Sequence, residues 1–594
     1  MTVVRVLPDE PAISKSFDYL VPDSVGDQVR VGDRVRIALQ GRRVGGWVVA
    51  TDVEPPAGVV LRPLAKWSGR GPTRELIDLA GWAAWRWAGR PASLLRTASP
   101  ERVVSGLPVA PRRPTDRALS DAAGAVGPVY EALARDLALL RLPPATDPSD
   151  VALAAAGRGN ALVLGPTMAV ARSIAARLRT AGVPVALHPR DWALGAAGAT
   201  VVGTRAAAWA PVGDLAAVLV VDEHDEGHQQ QQAPTWHARD VAAERARRAG
   251  VPCVLTSPCP SLEALDWGRL VVPSRTEERA GWPVVDAVDM RREDPRTGLL
   301  TPALVRLLRS DRRVLCVLNR TGRARLLACA ACGELARCER CDAAVAQPSP
   351  TELACPRCAT VRPVVCAGCG AGRLKALRQG VTRVRDEIQA LVHEPVDEVT
   401  AARPAGAAPA SRVVVGTEAT LHQIDRADVV ALLDADQELL AHRYRAAEQA
   451  LALLARAARV VGGKAGGGRI VVQTFVPRHE VVQAALHGDP ARASRAEREQ
   501  RELLRFPPVT AMAEVSGAAA PAFVESLGGG ATGMLGGEGG PRARPGRSPG
   551  VEVLGPSDGR WLVRAPDHTA LCDALAATAR PPGRVRVAVD PPRV

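Results

Sequence analysis

"CAACGELARCERCDAAVAQPSPTELACPRCATVRPVVCAGC", residues 329–369, contains four C-x-x-C pairs, which hold eight of the twelve cysteines in the chain. Each pair offers two thiolates about one turn apart, and two pairs complete the four-sulfur shell of a tetrahedral zinc ion. Because such a shell leaves no open coordination position, the pattern predicts two structural zinc ions. The predicted ligands are Cys329, Cys332, Cys338, Cys341, Cys355, Cys358, Cys366 and Cys369.

The alternative for this stretch is a set of disulfides in a secreted module. We expect zinc instead, because no signal peptide opens the sequence and a chain of 594 residues does not depend on disulfides for stability. The other four cysteines are scattered single thiols, which are typical of a protein core. They are Cys253, Cys259, Cys316 and Cys572.

Composition limits the class of protein further. The length predicts about four domains, and a hydrophobic content of 47% is enough for several buried cores. No apolar run reaches membrane-spanning length without a charge or a helix breaker, so we expect a soluble, cytoplasmic chain with no membrane partner. Lys and Arg number 76 against 63 Asp and Glu, and the net charge of +13 favours a polyanionic partner.

The order of strand-like and helix-like segments predicts a multidomain α/β protein. Short alternating strands indicate a small β-rich domain at the N-terminus. Two later regions alternate apolar strands with helices, which indicates two parallel sheets whose working edge is the carboxyl end of the strands. A Gly/Pro-rich stretch, Gly528–Gly550, interrupts a small α+β pattern at the end of the chain. The predicted divisions are 1–100, 101–150, 151–290, 291–490 with the cysteine module inserted at 326–372, and 491–594.

Residues 101–150 are rich in Pro and Arg, and they predict a linker or a reduced domain. One amphipathic segment, Val129 to Leu140, predicts a helix within it.

The two lobes and the acidic strand end at Asp222-Glu223 resemble a superfamily 2 helicase motor. "VVGTRAAAWAPVGDLAAVLVVDEHDEGH" (201–228) is similar to the Asp-Glu-box segment of the PriA family of primosomal replication-restart helicases. "SFDYLVPDSVGDQVRVGDRVRI", the four cysteine pairs, "ALLDADQELLAHRYRAAEQALALLARAA", "RELLRFPPV" and the final "DPP" resemble that family in order. The resemblance implies RecA-like helicase lobes, a 3'-end DNA-binding domain at 1–100 and, at 101–150, a linker or a reduced winged-helix remnant.

The departures from the family concern the ATP site. A P-loop needs Gly-Lys-Ser/Thr, whereas the segment before "ALVLGP" offers Gly157 and Gly159 but no lysine. The coupling motif reads Thr256 to Pro260, "TSPCP", and the arginine segment near Gly462 to Arg469 has lost its register. We therefore expect degenerate lobes without ATP turnover, which makes ATP and Mg²⁺ doubtful cofactors.

Asp222 and Glu223 would hold Mg²⁺ in an active relative. Without a P-loop there is no phosphate to share the ion, so they are predicted as a degenerate nucleotide site, and capping of the next loop is the alternative. His224, His228 and His237 are expected to be solvated or polar-network residues rather than ligands, because no i, i+4 His pair with a general base is present.

The resemblance also implies the DNA and zinc assignments. Phe17 and Asp18 match the pair that receives the terminal nucleotide in relatives, and Arg62 is the counterpart of the basic contact; the alternative is a core Phe17 and a turn Asp18. In the family the outer cysteine pairs (Cys329/Cys332 with Cys366/Cys369) share one ion and the inner pairs (Cys338/Cys341 with Cys355/Cys358) share the other. Spacing alone also allows the sequential pairing.

Three functions remain open at this point. The first is a restart primosome protein, associated with the nucleoid, that recognises stalled or branched forks and helps reload the replisome without unwinding. Its expected partners are forked or single-strand-containing DNA with a 3' end, helicase-loading proteins and single-strand DNA-binding protein. The second is an active ATP-dependent 3'-to-5' DNA helicase of the same family. The third is a zinc-containing nucleic-acid-binding factor on a helicase scaffold.

Overall fold

The structure is a computed structural model, and it describes residues 2–10, 13–54, 58–113, 127–318, 327–376, 381–400, 409–527 and 550–593. Part of the predicted linker (114–126) and most of the Gly/Pro-rich stretch (528–549) lie outside the described residues. Within these ranges, no helix combines the length and the apolar character that crossing a membrane requires.

The N-terminal domain is a five-stranded antiparallel sheet whose edges meet. Its strands, in the order β2-β1-β4-β3-β5, are β1 (Val3–Pro8), β2 (Phe17–Leu20), β3 (Arg34–Leu39), β4 (Arg42–Thr51) and β5 (Lys66–Gly69). The amide of Leu20 donates to the carbonyl of Arg62, and the amide of Leu64 donates to the carbonyl of Leu20. These bonds join β2 to the segment that leads into β5. Helices α1 (Arg74–Arg86) and α2 (Pro91–Ala98) pack on the outer face over Trp47.

The first lobe is a seven-stranded parallel sheet with the order β12-β6-β11-β10-β7-β9-β8. Helices cover both faces, so its central strands are buried along their length and largely apolar, as in Asn160–Leu164. The strands are β6 (Leu137–Arg141), β7 (Asn160–Leu164), β8 (Val185–Leu187), β9 (Thr200–Gly203), β10 (Leu215–Val220), β11 (Cys253–Ser257) and β12 (Arg269–Val271). The helices are α3 (Gly127–Leu133), α4 (Ser149–Gly157), α5 (Met168–Thr180), α6 (Trp192–Ala196), α7 (Ala238–Ala249), α8 (Leu262–Trp267) and α9 (Arg275–Ala280).

Two predicted boundaries of this lobe are displaced. Residues 137–141, placed in a linker helix from the sequence, form β6, which pairs with both β11 and β12 inside the sheet. The five-residue run "LALLR" is too short for its periodicity to separate a strand from a helix, and it directly follows α3. The lobe therefore includes 127–150. At its other end, Val284–Asp289 pairs with Arg469–Thr474 and belongs to the second lobe.

The second lobe is a six-stranded parallel sheet with the order β13-β23-β22-β14-β21-β20. Its strands are β13 (Val284–Asp289), β14 (Val314–Val317), β20 (Val396–Val399), β21 (Val413–Gly416), β22 (Val429–Leu432) and β23 (Arg469–Thr474). Its helices are α10 (Pro302–Leu308), α11 (Val381–Val392), α12 (Thr420–Gln423), α13 (Asp436–Leu439), α14 (Ala446–Val461) and α15 (Glu480–His487). α16 (Ala491–Leu504) packs on α14 and α15, although the sequence assigned it to the C-terminal domain.

The cysteine module and the C-terminal domain complete the chain. The module contains β15 (Leu327–Cys329), β16 (Ala346–Ser349), β17 (Glu352–Ala354), β18 (Val361–Pro363) and β19 (Leu374–Ala376). The C-terminal sheet, with the order β25-β26-β24-β27, contains β24 (Ala511–Ser516), β25 (Glu552–Ser557), β26 (Arg560–Ala565) and β27 (Arg586–Val589), with α17 (Ala520–Ser526) and α18 (His568–Ala577). Short 3-10 helices lie at Asp23–Gln28, Arg205–Trp209, Glu226–His228, Pro295–Thr297 and Lys464–Gly466.

Candidate nucleotide cleft, metal centres and DNA-binding domain

The loop at 142–148 occupies the place of a P-loop in the first lobe. It follows β6 and leads into α4, which is the strand–loop–helix arrangement of phosphate-binding loops. Its sequence, "LPPATDP", contains neither glycine nor lysine. Gly157 and Gly159, considered from the sequence, lie at the end of α4 and just before β7, so they are not part of this loop.

The loop has few groups with which to hold a phosphate. Three of its seven residues are prolines, which have no amide hydrogen to donate. Other amides are already used: those of Leu142, Ala145 and Thr146 donate to the carbonyls of Ser257, Gly281 and Pro143. Asp147 and Asp150 also place carboxylates at the start of α4, where the helix dipole would otherwise favour an anion.

Asp222, just after β10, is bound by an arginine of the second lobe. Nη1 and Nη2 of Arg459, on α14, donate to its two carboxylate oxygens at 2.5 and 2.9 Å. Nε of Arg459 also donates to the carbonyl of Pro144 in the 142–148 loop, at 3.3 Å. Although burial by itself raises the pKa of Asp222, the guanidinium holds that pKa below its usual range. One cation therefore connects the acidic strand end and the 142–148 loop.

A second cross-lobe pair lies one helical turn away on α14. Arg456 donates to Asp225 at 2.7 Å and also to Glu418 of the second lobe. Burial by itself raises the pKa of Asp225, but Arg456 and the other nearby positive and donor groups lower it to about 2. Both lobes therefore contribute to one buried ionic cluster.

Glu223 points away from this pair and into the first lobe. Its carboxylate accepts hydrogen bonds from Arg239, at 2.8 Å, and from the amide and hydroxyl of Ser261, both at 2.8 Å. Glu223 has no exposed surface. The structure thus places Asp222 and Glu223 in different hydrogen-bond networks, with their carboxylates committed to arginines.

The three histidines near these acids belong to polar networks. His228 lies with its Nε2 at 2.8 Å from the carbonyl of Val221, and Nδ1 of His237 accepts from the amide of Arg239. Burial lowers the pKa of both His228 and His237. Nδ1 of His224 lies 2.8 Å from the hydroxyl of Ser257 in the "TSPCP" segment.

A cleft of about 500 Å³ opens between the lobes beside these residues. Its walls carry both signs of charge, and many of the charged groups are paired with each other. Asp225 pairs with Arg456 across the cleft, whereas Glu223 pairs with Arg239 within the first lobe and Glu448 pairs with Arg445 within the second. Its lining therefore combines acidic and basic side chains.

The eight cysteines form two tetrads. One combines the outer pairs, Cys329, Cys332, Cys366 and Cys369, and the other combines the inner pairs, Cys338, Cys341, Cys355 and Cys358. Sulfur atoms within a tetrad lie 3.4 to 3.5 Å apart where they are closest. A disulfide needs about 2.05 Å, whereas the edge of a tetrahedral Zn–S₄ shell with 2.3 Å bonds is about 3.8 Å. The donor set and its spacing therefore suit a tetrahedral metal ion.

All four C-x-x-C pairs share one backbone turn. In each, the amide of the residue after the second cysteine donates to the carbonyl of the first, at 2.9 to 3.0 Å. These four residues all have positive φ, between 58° and 77°: Gly333, Asp342, Ala359 and Gly370. This turn brings the two sulfur atoms of each pair close together, so that each pair can act as a bidentate ligand.

The N-terminal domain places Phe17 and Asp18 on opposite faces of β2, because neighbouring strand residues alternate. Phe17 packs partly against the interior of the sheet, beside Tyr19. Asp18 lies outside and accepts two bonds from Arg5, at 2.8 and 3.1 Å. Arg62 is exposed, and its carbonyl accepts from the amide of Leu20 at the end of β2. All three residues are thus near β2, but the carboxylate of Asp18 has an internal partner.

Comparison with known proteins decides the family. The chain is 30% identical over 568 residues to the probable replication restart protein PriA of Mycobacterium leprae, which covers 85% of this chain and 86% of that protein. The chain belongs to the PriA family. Its residues 5–100 match the PriA 3'DNA-binding domain (3'BD), so the N-terminal sheet is this family's DNA-binding domain.

Other similarities are narrower. The replication restart protein PriA of Synechocystis is 30% identical over 358 residues, which are 52% of this chain and 42% of that protein. Among solved structures, Saccharomyces cerevisiae Dbp5 L327V bound to RNA and ADP BeF3 covers 65% of this chain and 99% of that chain, with 10% identity and a TM-score of 0.35. The two-lobe architecture of this PriA-family chain rests on the strand orders described above.

Sequence reasoning missed the arginines that neutralise the acidic strand end. The arginine segment considered for the ATP site was Gly462 to Arg469, and there Arg469 pairs with Asp286 on β13. Arg456 and Arg459 lie upstream, in "LLARAARVV". Their i, i+3 spacing on a helix was a usable signal, since it places both guanidinium groups on one face.

Proposed function

We propose that this PriA-family chain recognises stalled or branched replication forks and helps reload the replisome without ATP-driven unwinding. The principal support is the contact of Arg459 with both Asp222 and Pro144. In a working motor the acidic strand end holds Mg²⁺ against phosphates on the P-loop. Here a guanidinium of the other lobe lies between the same two elements, and the loop offers no lysine.

Lacking the P-loop lysine and a free transition-state arginine should reduce the rate of ATP hydrolysis by a large factor. A transition-state arginine alone contributes roughly 10³-fold or more to turnover in related motors. This chain lacks the P-loop lysine, and Arg456 and Arg459 are engaged with carboxylates. We therefore expect neither ATP nor Mg²⁺ to act as a cofactor.

The test is an ATPase and unwinding assay on a synthetic fork. We expect no hydrolysis above background with or without the fork, and no strand separation, while the fork is bound. An Asp222→Asn variant identifies contaminants, because its rate should equal that of the wild type. ATP hydrolysis that the fork stimulates and that Asp222→Asn removes would instead establish the active 3'-to-5' helicase.

For the metal centres, we propose that each cysteine tetrad holds one Zn²⁺ as a structural ion. Four thiolates complete the shell, so the ion organises the module and performs no chemistry.

For DNA, we propose that Phe17, Asp18 and Arg62 receive the 3' end of a nascent strand. An aromatic face stacks on a base, a carboxylate accepts from the 3'-hydroxyl and a cation neutralises phosphate. Because Arg5 already binds Asp18, the 3'-hydroxyl has to share that carboxylate with Arg5.

The preference for a 3'-hydroxyl over a 3'-phosphate end on otherwise identical forks measures this site. We expect Phe17→Ala/Asp18→Asn to remove the preference while affinity for closed-end duplex is unchanged, and Arg62→Gln to weaken it. Asp23→Asn, in the exposed 3-10 helix after β2, is the matched control. An unchanged preference in the double variant would move the 3'-end site elsewhere.

The partners that follow from this function are forked or single-strand-containing DNA, other restart and helicase-loading proteins and single-strand DNA-binding protein. Its place would be the cytoplasm, at the nucleoid. Helicase loading on a fork, reconstituted with and without the chain, measures the reloading step.

A further inference from the structure

Three cations stand on the outer face of the N-terminal sheet. Arg36 on β3 lies opposite Gly45 on β4 and opposite Lys66 on β5, and Arg43 on β4 lies opposite Ala38 on β3. Since alternate residues of a strand share a face, Arg36, Arg43 and Lys66 point to the same side. All three are exposed.

This group of charges is not neutralised by its surroundings. Within the described part of the chain, Arg36, Arg43 and Lys66 form no ion pair. The carboxylates nearby are engaged elsewhere: Asp9 pairs with Arg96, and Asp33, which is 3% exposed, pairs with Arg70. Glu10 is the remaining acidic residue that lines this face.

The same face forms a cleft of about 670 Å³. The floor of the cleft has free space above Gly45. A Cβ atom added to Gly45 would have the Cβ of Asp9 as its nearest neighbour, at 3.7 Å. The tryptophans that line it have little free ring face, because Trp47 is buried and the guanidinium of Arg70 lies over the ring of Trp67, 5.6 Å from its centroid. The cleft thus offers positive charge and close approach, without a free aromatic face to stack on a base.

We propose that Arg36, Arg43 and Lys66 form a binding site for the sugar–phosphate backbone of DNA, separate from Phe17, Asp18 and Arg62. Cations neutralise phosphates without distinguishing bases, so the contact is independent of sequence. The inference rests on the proposed function, that the chain binds forks. It adds a second contact that holds a strand or duplex arm while the 3' end is engaged.

The test compares two triple variants that remove the same charge. Arg36→Gln/Arg43→Gln/Lys66→Gln removes the site, and Arg172→Gln/Arg309→Gln/Arg495→Gln removes three exposed arginines of the lobes and α16. Binding to a hairpin-capped duplex and to a single strand of equal length is followed by fluorescence anisotropy across a salt series. The slope of log K, the observed binding constant, against log salt concentration is negative. Each lost phosphate contact makes this slope less steep by roughly 0.9 on duplex or roughly 0.7 on single strand.

We expect the first variant to lose about two to three units of slope on one of the two ligands, which identifies the strand type, and the second to keep the wild-type slope. Lys66→Gln alone should lose about one unit, which tests the site without the triple variant. Equal slopes in the wild type and both triple variants overturn the inference. If the chain binds forks but the slopes are unchanged, the second DNA contact is wrong and the proposed function stands. If the wild-type chain binds no fork, the proposed function is wrong as well.

Discussion

Arg459 of the second lobe and Asp222 of the first form an ion pair with two hydrogen bonds, at 2.5 and 2.9 Å. Asp222 is 3% exposed, so its carboxylate is buried and depends on Arg459 as its charged partner. Arg459 also donates to the carbonyl of Pro144, so one side chain of the second lobe contacts both the end of β10 and the 142–148 loop.

Arg459→Met is expected to destabilise the chain by about 2 to 3 kcal/mol. Removing one partner of a buried pair leaves an uncompensated charge, and the cost is at the lower end because Arg459 is 38% exposed. Urea denaturation at pH 7.5 measures the effect. Asp222→Asn/Arg459→Met should recover part of the loss, because no charge remains buried. Arg469→Met is the control, because Arg469 forms the exposed pair with Asp286. An equal loss of stability in Arg469→Met would show that the Arg459–Asp222 pair makes no special contribution to the stability of the fold.

Stability should depend on pH through Asp225. Arg456 helps to lower the pKa of Asp225 from 3.8 to about 2, so the bound carboxylate stabilises the fold by roughly 2 kcal/mol above pH 4. This contribution is lost as the pH falls from about 4 through 2. We therefore expect the difference in unfolding free energy between wild type and Asp225→Asn to be largest at pH 5 to 6 and to shrink towards pH 2.5. A difference that stayed constant over this range would contradict the ion pair.

Arg501 connects α16 to both lobes. It has no exposed surface, and it donates to Glu497 of α16 itself at 2.8 Å, to Glu448 of the second lobe at 2.6 Å and to Glu263 of the first lobe at 3.5 Å. Arg501→Leu should cost about 3 to 5 kcal/mol, because it leaves the buried carboxylate of Glu497 without the cation that binds it. Arg498→Leu is the matched control on the same helix, since Arg498 is 35% exposed and pairs with Asp266; it should cost less than about 1 kcal/mol. Equal melting temperatures for the two variants would show that the network is not stabilising.

The parallel sheets and the family were predictable because their signals are local. Buried strands such as β7 and β10 are apolar runs between helices, and a C-x-x-C pair marks two thiolates within one turn. The identity of the loop at 142–148 was not predictable in this way. It depends on β6 being a strand between β11 and β12, and five apolar residues after a helix do not specify that.

Contacts between distant segments were also beyond the sequence. Asp222 and Arg459 are separated by 237 positions, and the arginine that reaches Asp18 is Arg5, on the neighbouring strand. The family resemblance assigned Asp18 to the terminal nucleotide without indicating a partner within the protein, and pairing of β1 with β2 places Arg5 directly opposite it. Sheet register and the packing of the lobes decide which acidic and basic side chains form pairs. Neither the register nor the packing produces a periodic pattern in the sequence, so these pairs could not be predicted from it.

Cys→Ser substitution in a tetrad should lower the zinc content of the chain, whereas the same substitution at a core cysteine should not. Cys338→Ser removes one of four thiolates from the inner tetrad, so we expect the purified chain to hold close to one Zn²⁺ instead of two, measured by elemental analysis. Cys253→Ser changes a fully buried thiol of β11 that has no metal partner, and it should keep both ions. Because Cys338 and Cys358 lie 3.4 Å apart in the same tetrad, Cys338→Ser/Cys358→Ser should also retain one ion, in the outer tetrad. Loss of both ions in that double variant would mean that the tetrads share their ligands, and two ions in Cys338→Ser would remove the inner tetrad as a zinc site.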